Sequence, residues 1–393
     1  MGIAVRYVWA GLSLLAAACA GAPPPPAGIA ARTGEAEASA ACSTPAVTIA
    51  FDFDGAPPHA CVVTGERAFT LLVTPEHVPP INPSPWYAFR YAAAGDAPVQ
   101  VTLHYLVSKH RYAPKLALDG VWREIPAEVG TDGKNARLEL PAGAGVVTAQ
   151  EIVTPSDAAA DLARWSAASG AAVFTLGTSH DGRPIRAIRL GRVDAPRLII
   201  LLGRQHPPEV TGAIAMEAFV DTLAEGAAAL GDVQVLVVPM LNPDGVVRGH
   251  WRANRGGVDL NRDWGPFTQP ETRSVRAWLG ALPAGVCPVL MVDFHSTARN
   301  LFYVQGEEAS PAQARFLAAW LGGQERAYAG YPFTLEPRNA NPGSGTAKNW
   351  FQQTYNIPAY TYEVGDTADR AATREAARAL AARMLDALTQ LEE

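Results

Sequence analysis

The pattern of apolar residues changes near residue 156, and this change constrains the fold more than any other feature of the chain. Before it, short segments rich in β-branched and aromatic residues are separated by Gly, Pro and Asp, without a helical period. This pattern predicts a small all-β sandwich domain over residues 42–153. After it, apolar and amphipathic segments alternate over residues 156–391, which predicts an α/β domain with a mixed, mostly parallel central sheet.

Four largely apolar segments predict strands of this sheet, and Leu198–Leu202 is continuously apolar, as expected for a strand that is covered on both faces. The four segments are Leu198–Leu202, Val233–Leu241, Val289–Phe294 and Ala359–Val364. Helical spacing predicts the covering layers, with Ser156 or Asp157 capping the first helix. The predicted helices are Ser156–Ala168, Val210–Glu225, Glu271–Leu282, Pro311–Ala329 and Asp369–Leu391. A turn at residues 180–184 predicts a hairpin ahead of the first of these strands.

The beginning of the chain predicts export. Arg6 provides a charged start, and the apolar stretch Val8–Ala20 is too short to span a bilayer comfortably. Residues 1–20 are therefore interpreted as a signal peptide, and residues 21–41, rich in Ala and Pro, as a linker. The segment ending at Cys19 resembles a bacterial lipoprotein cleavage site, which predicts a periplasmic location with or without a lipid anchor at Cys19. The alternative is an uncleaved membrane anchor.

Cysteine use agrees with an oxidising compartment. Cys42 and Cys61 flank a short strand-like segment and could form a disulfide. Cys287 precedes an apolar strand, so a buried and unreactive thiol is expected there.

The charge of the chain argues against one class of partner. Basic residues number 32 and acidic residues 38, the formal net charge is −6, and no long basic run is present. Nucleic acid is therefore not an expected partner.

Two segments at predicted strand ends carry residues that can hold a metal ion. His206 and Glu209 lie on a turn that follows Leu198–Leu202, and His295 follows Val289–Phe294. Ligand sites in α/β sheets gather at the carboxyl ends of strands. Two imidazoles and one carboxylate suit catalytic zinc, because they leave one position open for water or substrate. The alternative is a surface histidine beside a helix N-terminus and a second histidine buried in the core.

Three arginines cluster in sequence between these metal-binding segments. Arg252 and Arg255 follow the predicted strand Val233–Leu241 and a turn at residues 242–245, and Arg262 follows them. The guanidinium group can hold a carboxylate in two hydrogen bonds or stabilise an oxyanion. The alternative is a solvated loop with incidental arginines.

Glu363 is the candidate general base. Strand alternation places Thr361 and Glu363 on one face of a predicted strand and the neighbouring tyrosines on the other. A carboxylate within an apolar strand is costly without a partner or a task. Beside a metal-activated water, it can act as general base and then as general acid. The alternative is an exposed glutamate on an edge strand.

The ordered motifs resemble the zinc carboxypeptidase family that includes carboxypeptidase A. The matching elements are HxxE from His206, NPDG at 242–245, WRxxR at 251–255, DLNR at 259–262, His295 and Glu363. The resemblance covers roughly residues 157–390 and implies an α/β/α sandwich, one zinc ion and a peptide substrate with a free C-terminal carboxylate. It also implies roles for three residues: Arg252 matches the oxyanion-stabilising arginine, and Asn261 and Arg262 match the pair that binds the terminal carboxylate. Arg255 is the weaker member of this substrate-binding group.

Within the family, the chain resembles the cytosolic carboxypeptidase branch, which carries a β-sandwich before the catalytic domain. The segment Asn82–Phe89 is similar to an NPW-type segment of that sandwich, and Ser344–Lys348 is similar to its SGTGR segment. The basic residue of that segment is associated with acidic C-terminal side chains, so Lys348 implies a preference for Glu or Asp. The alternative is that Lys348 points to solvent. The chain departs from carboxypeptidase A at Asn341, which stands where that enzyme has a mobile tyrosine.

Two other functions are compatible with these residues. An amidase or deacylase on the same scaffold could cleave γ-D-glutamyl or diaminopimelate bonds of cell-wall peptides. A non-catalytic peptide-binding protein is the third hypothesis, although every group that hydrolysis requires is present in the sequence. Peptidoglycan stem peptides or environmental peptides fit an exported protein better than a cytosolic substrate does.

Overall fold

The computed structural model describes residues 41–78, 82–338 and 344–391. The predicted signal peptide, Cys19, most of the predicted linker and Asn341 lie outside the described residues. Among the described residues, no helix is both long enough and apolar enough to cross a bilayer.

The first part of the described chain contains only β-strands. These strands are β1 (Cys42–Ser43), β2 (Val47–Ala50), β3 (Ala60–Gly65), β4 (Ala68–Val73), β5 (Ala88–Ala93), β6 (Val99–Tyr105), β7 (Lys115–Leu118), β8 (Val121–Glu124), β9 (Glu128–Val129), β10 (Asn135–Leu140) and β11 (Gly143–Thr148). They form two sheets, with strand orders β1-β2-β5-β11-β7-β8 and β3-β4-β6-β10-β9. Strands such as β6 and β10 alternate buried and less buried residues, because one face of each packs into the core between the sheets.

The second part alternates helices and strands, as its sequence predicts. Its elements are α1 (Pro155–Ser169), β12 (Val173–Thr178), β13 (Pro184–Gly191), β14 (Arg197–Gly203), α2 (Val210–Glu225), β15 (Val233–Val238), α3 (Pro243–Arg248), α4 (Pro270–Gly280), β16 (Cys287–Thr297), β17 (Leu301–Val304), α5 (Pro311–Trp320), β18 (Thr334–Pro337), α6 (Ala347–Tyr355), β19 (Ala359–Gly365) and α7 (Arg370–Ala387). Short 3-10 helices lie at Ala227–Ala229, Leu260–Arg262 and Leu388–Leu391.

Eight of these strands form one mixed sheet in the order β12-β13-β15-β14-β16-β19-β17-β18. The four central strands, β15, β14, β16 and β19, pair in parallel, whereas β12 with β13, β13 with β15, and β17 with β19 pair antiparallel. One face of the sheet packs against α1, α2, α5 and α7, and the other packs against α4 and α6. The α/β/α sandwich implied by the sequence is therefore confirmed, and the all-β part precedes it.

Several local predictions need correction. The cap of α1 is Thr154, because Pro155 occupies the first helical position and the Thr154 and Asp157 side chains form a reciprocal capping box. Helix α5 ends at Trp320, nine residues earlier than predicted from its apolar spacing, where two glycines follow and Gly323 has φ 74°. Helix α6 was not predicted, because the glycine-rich segment before it conceals its start at the Thr346 cap.

The cysteines behave differently from one another. Cys42 and Cys61 form the predicted disulfide, which links β1 in one sheet of the sandwich to β3 in the other. Cys287 is exposed rather than buried, because it is the first residue of β16 and its side chain lies outside the apolar part of that strand. The expectation of a buried thiol is therefore wrong.

Candidate active site

The candidate site lies where the central parallel strands end. Strand β14 leads directly into the turn that carries His206 and Glu209, while His295 and Glu363 lie near the ends of β16 and β19. His295 and Glu363 are paired positions in the parallel ladder between those two strands. The backbone register of the sheet therefore brings a metal-ligand candidate beside the candidate base.

The turn after β14 is held in an unusual backbone conformation. Arg204 has φ 52° and is buried, and its Nη2 donates to the carbonyl oxygens of Pro207 (2.5 Å) and Val153 (3.2 Å). Burial lowers the pKa of Arg204 to about 10. These hydrogen bonds join Arg204 to Pro207 within the turn and to Val153 outside it, and so they help to hold the backbone that carries His206 and Glu209.

His206, Glu209 and His295 form a compact group. Their ligand atoms all lie within 4.8 Å of one another. The two Nδ1 atoms are 3.2 Å apart, and each is 2.7 Å from an oxygen of Glu209. Two nitrogens bound to one tetrahedral zinc at its usual bond length would be separated by about 3.4 Å. The spacing of the histidines therefore fits a zinc ion.

The opposite edge of each imidazole contacts a carboxylate. Asp259 Oδ1 lies 2.9 Å from His206 Nε2, and Asp293 Oδ2 lies 2.7 Å from His295 Nε2. These contacts favour the proton on Nε2 in both rings and leave the Nδ1 lone pairs directed at Glu209. Since the carboxylate of Glu209 is also an acceptor, a cation between the three groups satisfies them all. The donor set therefore fits a metal ion by its chemistry as well as by its spacing.

The electrostatics of the group agree with this assignment. Burial alone would raise the pKa of Glu209, but the charges of His206 and His295 overcome it and hold that pKa well below its usual range. For His295, burial opposes protonation, yet Asp293 and Glu209 raise the pKa well above its ordinary value. The pocket thus attracts positive charge to the position between the ligand atoms.

A cavity of about 260 Å³ opens over this group. Eight of the nine predicted site residues line it, namely His206, Glu209, Arg252, Asn261, Arg262, His295, Lys348 and Glu363. The ninth, Arg255, lies outside it: its side chain is 46% exposed and its Nε is 3.5 Å from Asp181 Oδ1. The structure therefore does not bring Arg255 to the substrate-binding group in which the sequence placed it.

Glu363 is a buried carboxylate with a raised pKa, as a general base requires. Its Oε2 is shielded from solvent and has no hydrogen-bond partner among the described residues. Burial is the main cause that raises the pKa of Glu363 to about 7, while the charge of His295 opposes the shift. A bound divalent cation would lower this pKa again, because it favours the carboxylate form. The alternative of an exposed edge-strand glutamate does not hold.

Arg252 and Asn261 are held by neighbours of the metal group. Arg252 Nε donates to Asp259 Oδ2 at 2.7 Å, so one carboxylate contacts both this arginine and His206. Asn261 Oδ1 accepts a hydrogen bond from the backbone N–H of Ala347, at the first turn of α6. Arg262 lines the cavity beside them.

Lys348 faces the cavity, so the alternative in which it points to solvent does not hold. It is 3% exposed, and its Nζ donates to the carbonyl oxygen of Arg338 at 2.8 Å. Burial lowers the pKa of Lys348 to about 8. The guanidinium of Arg338, which stacks on the Tyr303 ring at 5.0 Å, lines the same cavity.

The sequence did not predict that Asp259 and Asp293 contact the metal-binding histidines, or that the β-sandwich contributes residues to the cavity. Asp259 is the first residue of the DLNR motif. Asp293 lies two residues before His295, so strand alternation, which places both side chains on one face, could have indicated that Asp293 contacts His295. Arg111 and Tyr112 of the sandwich also line the cavity, and Arg111 Nη2 bonds Asp366 at 2.8 Å. No local signal marks these two residues, since their contacts join distant parts of the chain.

The fold and the site together define a class, the metallohydrolases that bind one ion through two histidines and a glutamate. The sequence model of the zinc carboxypeptidase family, peptidase M14, matches residues 166–378, which is more than half of the chain. This chain therefore belongs to the zinc carboxypeptidase family.

Individual relatives extend this result. An uncharacterized protein of Zymomonas mobilis is 33% identical over 123 residues, covering 29% of this chain and 32% of that protein. Cytosolic carboxypeptidase 2 of Xenopus tropicalis is 33% identical over 111 residues, covering 26% of this chain and 12% of that protein. The chain thus spans about a third or less of the length of these curated relatives.

Solved structures share the fold over most of the chain. A metallo-carboxypeptidase from Burkholderia cenocepacia superposes with a TM-score of 0.72 at 21% identity, covering 88% of this chain and 99% of that one. A metallo-carboxypeptidase from Pseudomonas aeruginosa, in complex with (2-guanidinoethylmercapto)succinic acid, gives 0.68 at 21% identity and covers 88% and 100%. Because both cover the sandwich as well as the larger sheet, the two-part architecture is shared.

Proposed function

We propose that this protein is an exported zinc carboxypeptidase that removes single residues from the C-terminus of peptides, with a preference for Glu or Asp. The observation that carries the proposal is one cavity in which a metal-binding triad, a shielded Glu363 and the cations Arg252, Arg262 and Lys348 meet. The metal-binding triad, Glu363, Arg252 and Arg262 supply the groups that hydrolysis of a terminal peptide bond requires, and Lys348 supplies a contact for the side chain of the last residue.

The metal and Glu363 would have separate roles in hydrolysis. When bound by His206, Glu209 and His295, zinc would polarise the scissile carbonyl as a Lewis acid and acidify the attacking water. Glu363 accepts the proton of that water and then donates it to the leaving amine. Its Oε2 has no hydrogen-bond partner within the described part of the chain, which suits this role, since a carboxylate held by strong donors would be a weaker base.

The cations position the substrate. Arg252 stabilises the oxyanion that develops on the scissile carbonyl, and Arg262, with Asn261, binds the terminal carboxylate of the peptide. Binding through that carboxylate limits cleavage to the last peptide bond and holds it near the base.

The preference for acidic residues rests on Lys348. Its ammonium group is buried at the cavity wall and its charge is only partly compensated by a carbonyl oxygen. A carboxylate side chain would offset the cost of that burial, whereas a basic side chain would add to it.

Export is part of the proposal. The disulfide between Cys42 and Cys61 supports an oxidising compartment, such as the periplasm. Peptides of the cell wall or of the surroundings are the substrates that such a location supplies. A lipid anchor at Cys19 remains a prediction from the sequence.

The test uses purified mature protein with its zinc content measured. Peptides that differ only in their last residue are incubated with wild type and with Glu363→Gln, and masses are recorded over time. Loss of single acidic residues by the wild type alone is expected. Loss of other residues would keep the mechanism and remove the acidic preference. Bound zinc without trimming of any peptide would contradict the carboxypeptidase proposal and favour amide bonds of cell-wall peptides, with muropeptides as the next substrates.

The role of Lys348 has its own test. Lys348→Met keeps the length of the side chain and removes the charge, so the ratio of kcat/KM for Glu-ended over Leu-ended peptides should fall at least about tenfold. Lys109→Met, a change of an exposed lysine, serves as the control and should leave the ratio unchanged. An equal ratio in wild type and Lys348→Met would contradict the role of Lys348.

A further inference from the structure

The loop that carries Arg252 receives part of its hydrogen bonds from the β-sandwich. It connects α3 to the 3-10 helix at Leu260–Arg262 and contains no helix or strand of its own. Trp251 Nε1 donates to the hydroxyl of Tyr112 at 3.0 Å. Backbone N–H groups in such a loop must find partners outside regular structure.

Glu76, in the connection between β4 and β5, is the partner of two of these groups. Its Oε1 accepts from the backbone N–H of Arg252 at 2.7 Å and from that of Ala253 at 3.0 Å. A carboxylate oxygen shared by two successive amides fixes the orientation of the peptide plane between them. The direction in which the Arg252 side chain leaves the backbone is fixed as a result.

The side chain of Arg252 is then fixed from the other end. Its Nε donates to Asp259 Oδ2 at 2.7 Å, and Asp259 Oδ1 lies 2.9 Å from His206 Nε2. A continuous series of contacts therefore runs from Glu76 in the sandwich, through Arg252 and Asp259, to a candidate metal ligand.

We infer that Glu76 is a positioning residue of the active site, which places the Arg252 guanidinium where charge develops on the substrate. The inference rests on the proposed function, because it assigns Arg252 the oxyanion. It gives the β-sandwich a part in the chemistry, since the residue that orients Arg252 belongs to the sandwich and not to the catalytic sheet.

The structure favours positioning over simple attachment of the two parts. Other contacts already join them: Arg111 Nη2 bonds Asp366 at 2.8 Å, and Arg370 Nη2 bonds Glu151 at 2.9 Å. Glu76 Oε2 is shielded and has no hydrogen-bond partner among the described residues, which makes the carboxylate a costly means of attachment. The same residue is well suited to hold two amides at a defined place.

The test compares steady-state kinetics of full-length, zinc-loaded variants on the best peptide of the panel. Glu76→Ala should lower kcat at least about tenfold with KM within about twofold, because a displaced arginine weakens the transition state more than the ground state. Glu76→Gln keeps one acceptor oxygen at the same reach and should recover part of the loss. Thermal unfolding of each variant shows whether the fold is intact.

Two further variants separate positioning from stability. In an Arg252→Ala background, Glu76→Ala should cost less than about twofold, because the group that it positions is gone. Glu151→Gln removes an interdomain carboxylate on the α7 side and should leave kcat unchanged. Unchanged kcat in Glu76→Ala, equal losses in both backgrounds, or an equal loss in Glu151→Gln would overturn the inference alone. A wild type that trims no peptide would overturn the proposed function and, with it, this inference.

Discussion

At the scale of single residues, the carboxylates behind the metal-binding histidines are as informative as the histidines. Asp259 is shared between His206 and Arg252, and Asp293 between His295 and Gln205, whose Nε2 donates at 2.6 Å. Each imidazole is therefore fixed in orientation, and its contact with a carboxylate favours the proton on Nε2 when a metal occupies Nδ1.

Removing one of these carboxylates should weaken the metal site without abolishing it. Asp293→Asn keeps the shape of the side chain but loses the charge that raises the basicity of His295. We expect zinc affinity to fall about 10- to 100-fold, measured by competition with a chromophoric chelator. Affinity equal to that of the wild type would show that Asp293 is only a packing residue.

The pKa of Glu363 has a consequence for the metal-free protein. Because burial raises this pKa from the ordinary 4.5 to about 7, the unfolded chain ionises at lower pH than the folded chain. The free energy of unfolding of metal-free wild type, relative to Glu363→Gln, should therefore fall by up to about 3 kcal/mol as pH rises from 4.5 to 7, and change little above that. Urea titrations in chelator at several pH values measure this difference. Parallel stability curves for the two proteins would contradict it.

The sequence was sufficient to predict the residues whose position follows from a strand end. His206, Glu209, His295 and Glu363 were predicted because each lies near the end of a largely apolar segment, and the structure places all four at one cavity. Arg255 does not line this cavity, because adjacency in sequence to Arg252 does not fix the direction of a side chain on an irregular loop.

At the scale of elements, the register of the sheet sets the geometry of the site. Strands β16 and β19 pair in parallel, with His295 opposite Glu363 and Asp293 opposite Thr361. A shift by one residue would turn each of these side chains to the opposite face. The sequence predicted both strands. It did not predict their pairing or helix α6, because both depend on tertiary contacts that the spacing of apolar residues does not reveal.

The disulfide should be a substantial part of the stability of the sandwich. It joins β1 and β3, which are short strands of different sheets, across 19 residues of sequence. Replacing both Cys42 and Cys61 by serine should lower the free energy of unfolding by about 2–4 kcal/mol. Urea unfolding monitored by circular dichroism measures the change. A midpoint and slope equal to those of the wild type would exclude a stabilising role.

At the scale of the whole molecule, the cavity lies at the interface between the sandwich and the catalytic part, and residues of both line it. Arg111 and Tyr112 come from the sandwich, and the backbone N–H of Gly55 donates to the carbonyl oxygen of Val247 at 3.0 Å. The sequence predicted two parts but not that they meet at the active site, because pairs such as Arg111 and Asp366 are 255 residues apart.

This shared interface should make unfolding cooperative. We expect tryptophan fluorescence and far-ultraviolet circular dichroism to give one coincident transition in urea for zinc-loaded protein, since loss of either part would leave buried hydrogen-bonding groups of the other unpaired. Two separated transitions would show that the parts are energetically independent.

The exposed thiol of Cys287 lies at the end of β16 opposite to the catalytic one. Eight residue-to-residue steps along the strand separate it from His295, a span of roughly 26 Å at the usual rise of a strand. Since Cys42 and Cys61 are joined to each other, Cys287 is the thiol within the described residues that a maleimide reagent can reach. A dye or a solid support attached to Cys287 would lie at the end of the sheet that is opposite the cavity. Molecules tethered through this thiol would therefore keep the cavity open to the solution.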